Sequence, residues 1–185
     1  MAYGFTYRGR RCSEFGLNLL KYVIQPPELR EYEEEVAGLA GVVDYGTELG
    51  KRQIDLTIDI TPDGRPFKLR QSEIYNWLKP TLEPGPLIFD EIPDRVFYAK
   101  LTGQLGMEQF NRYGTFEITM KCVDPFAYGH PETVEQATIT ASPTNITVSS
   151  AGTEPTPPVI ELTNTASGTI SEIRLSIEYQ IERGV

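Results

Sequence analysis

Apolar and polar residues alternate strictly in two stretches of this chain, and those stretches frame the rest. In "QIDLTIDI" Ile54, Leu56, Ile58 and Ile60 fall on one face, with Gln53, Asp55, Thr57 and Asp59 on the other. In "FEITMKC" Phe116, Ile118, Met120 and Cys122 alternate with Glu117, Thr119 and Lys121. Period two with one apolar face predicts a strand buried on one side. "FTYRGRR" (5–11) predicts a short strand and a turn. "FGLNLLKYVIQPPE" predicts an extended run that stops at Pro26-Pro27, where the ladder has no donor. "PLIFDEIPDRVFYAKLTGQL" predicts a hairpin: 87–89, a connection over 90–95, and a return over 96–105 with Phe97, Ala99 and Leu101 on one face. "GMEQFNRYG" is the next expected turn, and Pro62-Asp63-Gly64 another. One helix is predicted in "KLRQSEIYNWLKP", with Leu69, Ile74, Trp77 and Leu78 sharing a face and Pro80 ending it. Trp77 is expected to pack that helix on a sheet. Asp124-Pro125 stops the strand at 116–122, because proline removes a donor and forces its neighbour out of the helical region. Residues 1–129 thus predict a mostly antiparallel β domain with one helix.

Beyond Gly129 the chain turns rich in Thr, Ser and Pro, and 132–185 carries seven acidic residues against two basic ones. Short strands are expected at 137–141, 146–149, 159–164 and 170–181, the last from alternating Ile173, Leu175, Ile177, Tyr179 and Ile181. A β-sandwich takes about 100 residues, so 130–185 predicts a linker and a partial second β domain. The chain closes on "IEYQIERGV", with Arg183-Gly184 entering a turn that has no return strand, and reads as a fragment or a natural short form.

The segment "ELREYEEEVAGLAGVV" (28–43) is harder to place. Glu31, Glu33, Glu34 and Glu35, followed by Gly38 and Gly41, fit neither a stable helix nor a central strand. A solvated loop is one reading. The other is an arm that reaches a partner, since Tyr32, Val36, Leu39, Val42 and Val43 are too apolar for an idle loop. These five residues are the candidate subunit interface.

Composition narrows the function classes. With a net charge of -9 and a pI of about 4.7, the chain lacks the basic surface of a tight nucleic-acid binder. No window of 18 uninterrupted apolar residues spans a membrane, and "MAYGFTYRGRR" lacks the apolar core of a signal peptide. Cys12 and Cys122 read as two free thiols in a reducing compartment. No HExxH, GxSxG, P-loop or GxGxxG is present. His130 lies in the linker, Asp55 and Asp59 alternate on a polar strand face, Asp90 and Asp94 flank a connection, and "NIT" at 145 means little without a leader. The expectation is a protein with no catalytic residues, no cofactor and no metal, and not an enzyme.

Four stretches together carry a family likeness: "SEFGLNLL", "DYGTELGKRQIDLTIDI", "LIFDEIPDRVFYAKLTG" and "FEITMKCVDPFAYG". In this order and spacing they resemble the distal tail (Dit) proteins of tailed bacteriophages and phage-like particles, over residues 1–129. The resemblance implies a mainly β fold, a tail-tube-like antiparallel β-sandwich with one α-helix. It also implies a homo-hexameric ring that joins the tail tube to the baseplate or tail tip. Tail-tube, tape-measure and baseplate proteins would be its partners, and DNA only cargo passing through the lumen. The implied place is the virion, after assembly in the bacterial host cytoplasm. Larger members resemble a protein with a galectin-like second domain, of which 130–185 would be an incomplete sandwich. A glycan-binding, host-recognising β-sandwich and a tail-tube subunit are the alternatives.

Overall fold

The computed structural model describes residues 4–62, 64–103, 105, 114–154 and 156–178. The chain divides into two compact units, Met1–Ile146 and Thr147–Val185. All regular secondary structure among the described residues lies in the first.

Its strands are β1 (Phe5–Tyr7), β2 (Arg10–Arg11), β3 (Leu17–Ile24), β4 (Leu29–Glu34), β5 (Val43–Leu49), β6 (Arg52–Ile60), β7 (Gly85–Phe89), β8 (Arg95–Thr102), β9 (Gly114–Cys122) and β10 (Tyr128–Gly129). The one α-helix among the described residues is α1 (Phe67–Trp77). The main sheet runs β2-β1-β7-β8-β9-β6-β3, antiparallel throughout, with β10 beside β8 and β4–β5 apart as a two-stranded sheet. The two alternating stretches lie side by side at its centre. β6 and β9 pair from Arg52–Cys122 to Ile60–Gly114 without a break. Ile54, Leu56, Ile58 and Ile60 therefore meet Met120, Ile118 and Phe116 on one buried face.

The sheet is curled over its own core. Between β7 and β3 there are four strand-to-strand steps, about 19 Å in a flat sheet. Yet Tyr22 of β3 stacks on Phe89 of β7 with ring centroids 4.2 Å apart. The two layers of the expected sandwich are thus halves of one continuous sheet. A bulge between Leu19 and Lys21 makes this contact possible. The inserted Leu20 flips the alternation, so that Leu17 and Leu19 face the core before it while Tyr22 and Ile24 pack against the core after it.

Helix α1 covers one mouth of the core. Trp77 stacks on Phe15 (4.3 Å) and Phe5 (5.8 Å), meets Tyr7 edge-on, and donates its indole N–H to the Tyr7 carbonyl at 3.0 Å. The packing role expected of it is the observed one. The face it belongs to differs from expectation at one position: Leu69 is 53% exposed, and Arg70 is buried in its place with Ile74, Trp77 and Leu78. The reason is polar. Arg70 donates to the carbonyls of Thr61 (2.7 Å), Phe15 (3.0 Å) and Gly16 (3.0 Å), the last of which also accepts from Thr61 N.

Past Gly129 the strands expected at 137–141, 146–149, 159–164 and 170–181 are not formed among the described residues, and the anticipated galectin-like part has no strand there. Alternation makes a strand only where a second backbone completes the ladder. Pro143, Pro157 and Pro158 interrupt the donors, and Val159, Ile173, Leu175 and Ile177 are exposed. Tyr179 and Ile181 lie outside the described residues, as do Asp63 of one expected turn and residues 106–113 of the other.

Arg70→Ala removes a donor from three carbonyls, of which Gly16 keeps Thr61 N, and we expect a loss of about 3 kcal/mol in urea unfolding. A loss below about 0.5 kcal/mol would mean that water satisfies them instead.

Candidate functional site

Strands β4 and β5 form a hairpin arm that continues the β3–β6 ladder outward. The last core pair is Ile24–Ile54. The ladder then passes from Gln25 N to the Gln53 carbonyl (2.9 Å) and from Glu28 N to the Lys51 carbonyl (2.9 Å), and resumes at Leu29–Leu49. Pro26 and Pro27 sit at the interruption, where they can donate nothing. The arm's root is closed by Gly50 N on the Glu28 carbonyl at 2.6 Å and by an ion pair of Lys51 with Glu28 at 3.6 Å.

Every residue of β4 is exposed. Tyr32 donates to Glu48 (3.2 Å) and Tyr45 to Glu34 (2.8 Å), so each phenol holds a carboxylate of the opposite strand. That bond raises the Tyr45 pKa. At the tip, Leu39 N donates to the Val36 carbonyl (3.0 Å), and Gly38 and Gly41 take positive φ values of 89° and 92°, a conformation open to glycine.

The five candidate interface residues all lie on this arm. Tyr32 projects from β4, Val36, Leu39 and Val42 cluster about the tip, and Val43 opens β5 half-buried. Leu39 is 53% exposed. The loop reading is corrected: this is a hairpin, and its strands escaped the sequence pattern because neither face is buried. Leu29, Tyr45 and Leu49, also exposed, were missed. The available signal was the glycine-rich "AGLAG" between two runs that could pair.

The groups weighed for chemistry serve structure. Asp55 accepts from Gln25 (3.0 Å) and Thr119 (2.8 Å), and Asp90 pairs with Arg11. Asp124 closes its turn by accepting from Phe126 N (3.0 Å) and the Tyr128 hydroxyl. His130 is exposed, and its backbone N–H donates to the Asp94 carbonyl. Among the described residues no three His, Cys, Asp or Glu side chains gather as metal ligands would, and no helix is long and apolar enough to cross a membrane.

Residues 10–122, which include the arm, match the family of the phage tail protein RIFT-related domain. Among solved structures, the crystal structure of SPP1 Dit is similar to this chain, with a TM-score of 0.60 and 17% identity. That protein is described as a paradigm of the hub adsorption apparatus in Gram-positive infecting phages. The likeness covers 70% of this chain and 53% of that one, so the chain spans about half the length of SPP1 Dit. At this identity it is a likeness of fold. No curated protein matches. The resemblance to distal tail proteins is borne out.

Burial pushes the Cys122 thiol up to about 11 and raises that of Cys12 as well. Both are buried and free. At about pH 8 the native protein is therefore expected to leave a thiol reagent unreacted, and to release two equivalents on denaturation. Fast reaction of the native protein would show that the core opens around β9 or around the turn before β3.

Proposed function

This chain belongs to the family of phage tail proteins with a RIFT-related domain, and from that premise we propose that it is the ring-forming hub of a tail tip. Six copies close head to tail, join the tail tube to the baseplate or tip, and leave a lumen for DNA. Tail-tube, tape-measure and baseplate proteins are its neighbours, and assembly takes place in the host cytoplasm before the ring becomes part of the virion.

The observation that carries this reading is the arm. A two-stranded hairpin is marginal by itself in water, and this one extends from the core with Val36, Leu39 and Val42 exposed at its end. Burying those side chains on a neighbour would gain about 25 cal/mol per Å² of apolar surface. A closed head-to-tail ring needs two different patches on each subunit, and the arm supplies one. The fold likeness to a protein described as a hub supports the same role. The acidic balance suits a conduit, because a wall without excess positive charge lets a polyanion slide.

Light scattering and negative-stain microscopy test the proposal. The wild type is expected to form closed rings, whereas open stacks of rings would favour a tail-tube subunit. Leu39→Asp should keep its unfolding free energy within about 0.5 kcal/mol and lose the rings, since an unpaired charge would be buried at the contact. A mutant that keeps its rings removes the arm from the interface.

We further propose that the hub domain is 1–129, ending with β10, and that 130–185 is an appended segment. Limited proteolysis is expected to cut first between Gly129 and Pro158, among exposed Thr, Ser and Pro residues. First cuts within 85–122 would refute this division.

A further inference from the structure

Two like-charge pairs stand opposite one another in the ladders of this protein. On the outer face of the main sheet Lys100 of β8 is the register partner of Lys121 of β9. On the arm Glu33 of β4 is the register partner of Asp44 of β5. Like charges directly across a ladder repel at Cβ separations of about 4.5–5.5 Å. A protein can tolerate one such pair, but here there are two among the described residues, of opposite sign.

Neither lysine forms an ion pair among the described residues. Lys121 is flanked on β6 by Gln53, which is neutral. The nearest acid of the adjoining row, Asp55, is bound to Gln25 and Thr119. On the arm, Asp44 spends one oxygen on Gly46 N at 2.7 Å, and Glu33 forms no ion pair among the described residues. Residues 28–50 hold seven carboxylates against one arginine, net −6 of the chain's -9.

The surroundings match as well as the charges. Beside the lysine row, Tyr98 and Val123 are exposed. Beside the carboxylate row lies the arm tip with Val36, Leu39 and Val42. Each surface is thus an apolar patch next to a charged pair, and the pairs are complementary.

We infer that Lys100 and Lys121, with Tyr98 and Val123, are the acceptor for the arm of a second copy, whose Glu33 and Asp44 meet the two ammonium groups. The inference rests on the ring reading above and supplies its second patch. Docking would set each like-charge pair against charges of the opposite sign. A copy's own arm does not reach its acceptor here. The acceptor lies at the same end of the β6–β9 ladder as the arm's root, so arms would link tip to root around the ring.

The experiment is a charge swap read by sedimentation over a concentration series, with thermal unfolding to show that each variant is folded. K100E/K121E and E33K/D44K are each expected to raise the concentration needed for assembly by at least about tenfold. Mixed in equal amounts they should assemble again, alternating around a ring, because each arm then finds an acceptor of opposite charge. K100Q/K121Q, which only removes the repulsion, should weaken assembly while melting no lower than wild type. Wild-type rings with both double variants assembling unchanged would overturn the inference and leave the ring reading standing. A wild type that stays monomeric at every concentration would overturn both. Binding of a plain DNA duplex that K100E/K121E abolishes, with assembly intact, would assign the lysines to nucleic acid and overturn the inference too.

Discussion

The ladder between β3 and β6 carries the whole arrangement. Inside the domain it sets the edge of the curled sheet and delivers Tyr22 to Phe89, the contact that closes the core. Outside the domain the same two chain segments run on as the arm. Pro26 and Pro27 separate the two uses. They remove two donors in succession, so the sheet cannot continue unbroken, and only the bonds of Gln25 and Glu28 tie one part to the other.

This division assigns opposite energetics to the halves. In the core, every strand of the main sheet except the short β2 and β10 buries its inward side chains, and Arg70, the one buried cation among the described residues, is matched to three carbonyls. In the arm nothing is buried, the cross-strand phenol–carboxylate bonds are exposed, and the charges repel. Exposed ion pairs and hydrogen bonds contribute little in water. The acidic surface also keeps a free hairpin edge from pairing with any strand it meets. On the proposed reading, the exposed apolar tip of such an arm is covered only where a neighbouring copy meets it.

What was legible from the sequence follows the same division. Strands buried on one face, β6, β8 and β9, announced themselves by period two, and Trp77 by its place on the helix. The bulge at Leu20 was hidden, because an inserted residue breaks the pattern it shifts. Arg70 was hidden because a charged residue reads as solvated until its carbonyl partners, 9 to 55 positions away, are brought to it by the fold. The arm's apolar residues were visible but its strands were not, since a ribbon exposed on both faces has no periodicity to show. After Gly129 the alternation misled, because Ile173, Leu175 and Ile177 have the pattern of a strand but no ladder partner among the described residues. Register pairs such as Lys100–Lys121 lie beyond any single-strand reading.

On the proposed ring reading, the arm's root also bears on ring size. A head-to-tail assembly closes only when the rotation from one copy to the next divides a full turn. When the link is an arm, that rotation follows the angle at which the arm leaves its core. Here the root is tied by the backbone bonds of Gln25 to Gln53, Glu28 to Lys51 and Gly50 to Glu28, together with the Lys51–Glu28 ion pair. A Cβ at Gly50 would stand 3.1 Å from the Glu28 carbonyl and 3.1 Å from the Arg30 side chain, so any larger residue there obliges the two chains to move apart by a few tenths of an ångström. The apolar tip and the charged row would then govern how strongly neighbours hold, while two prolines and one glycine govern at what angle. Strength and geometry can vary independently in such a design, because they reside in different residues.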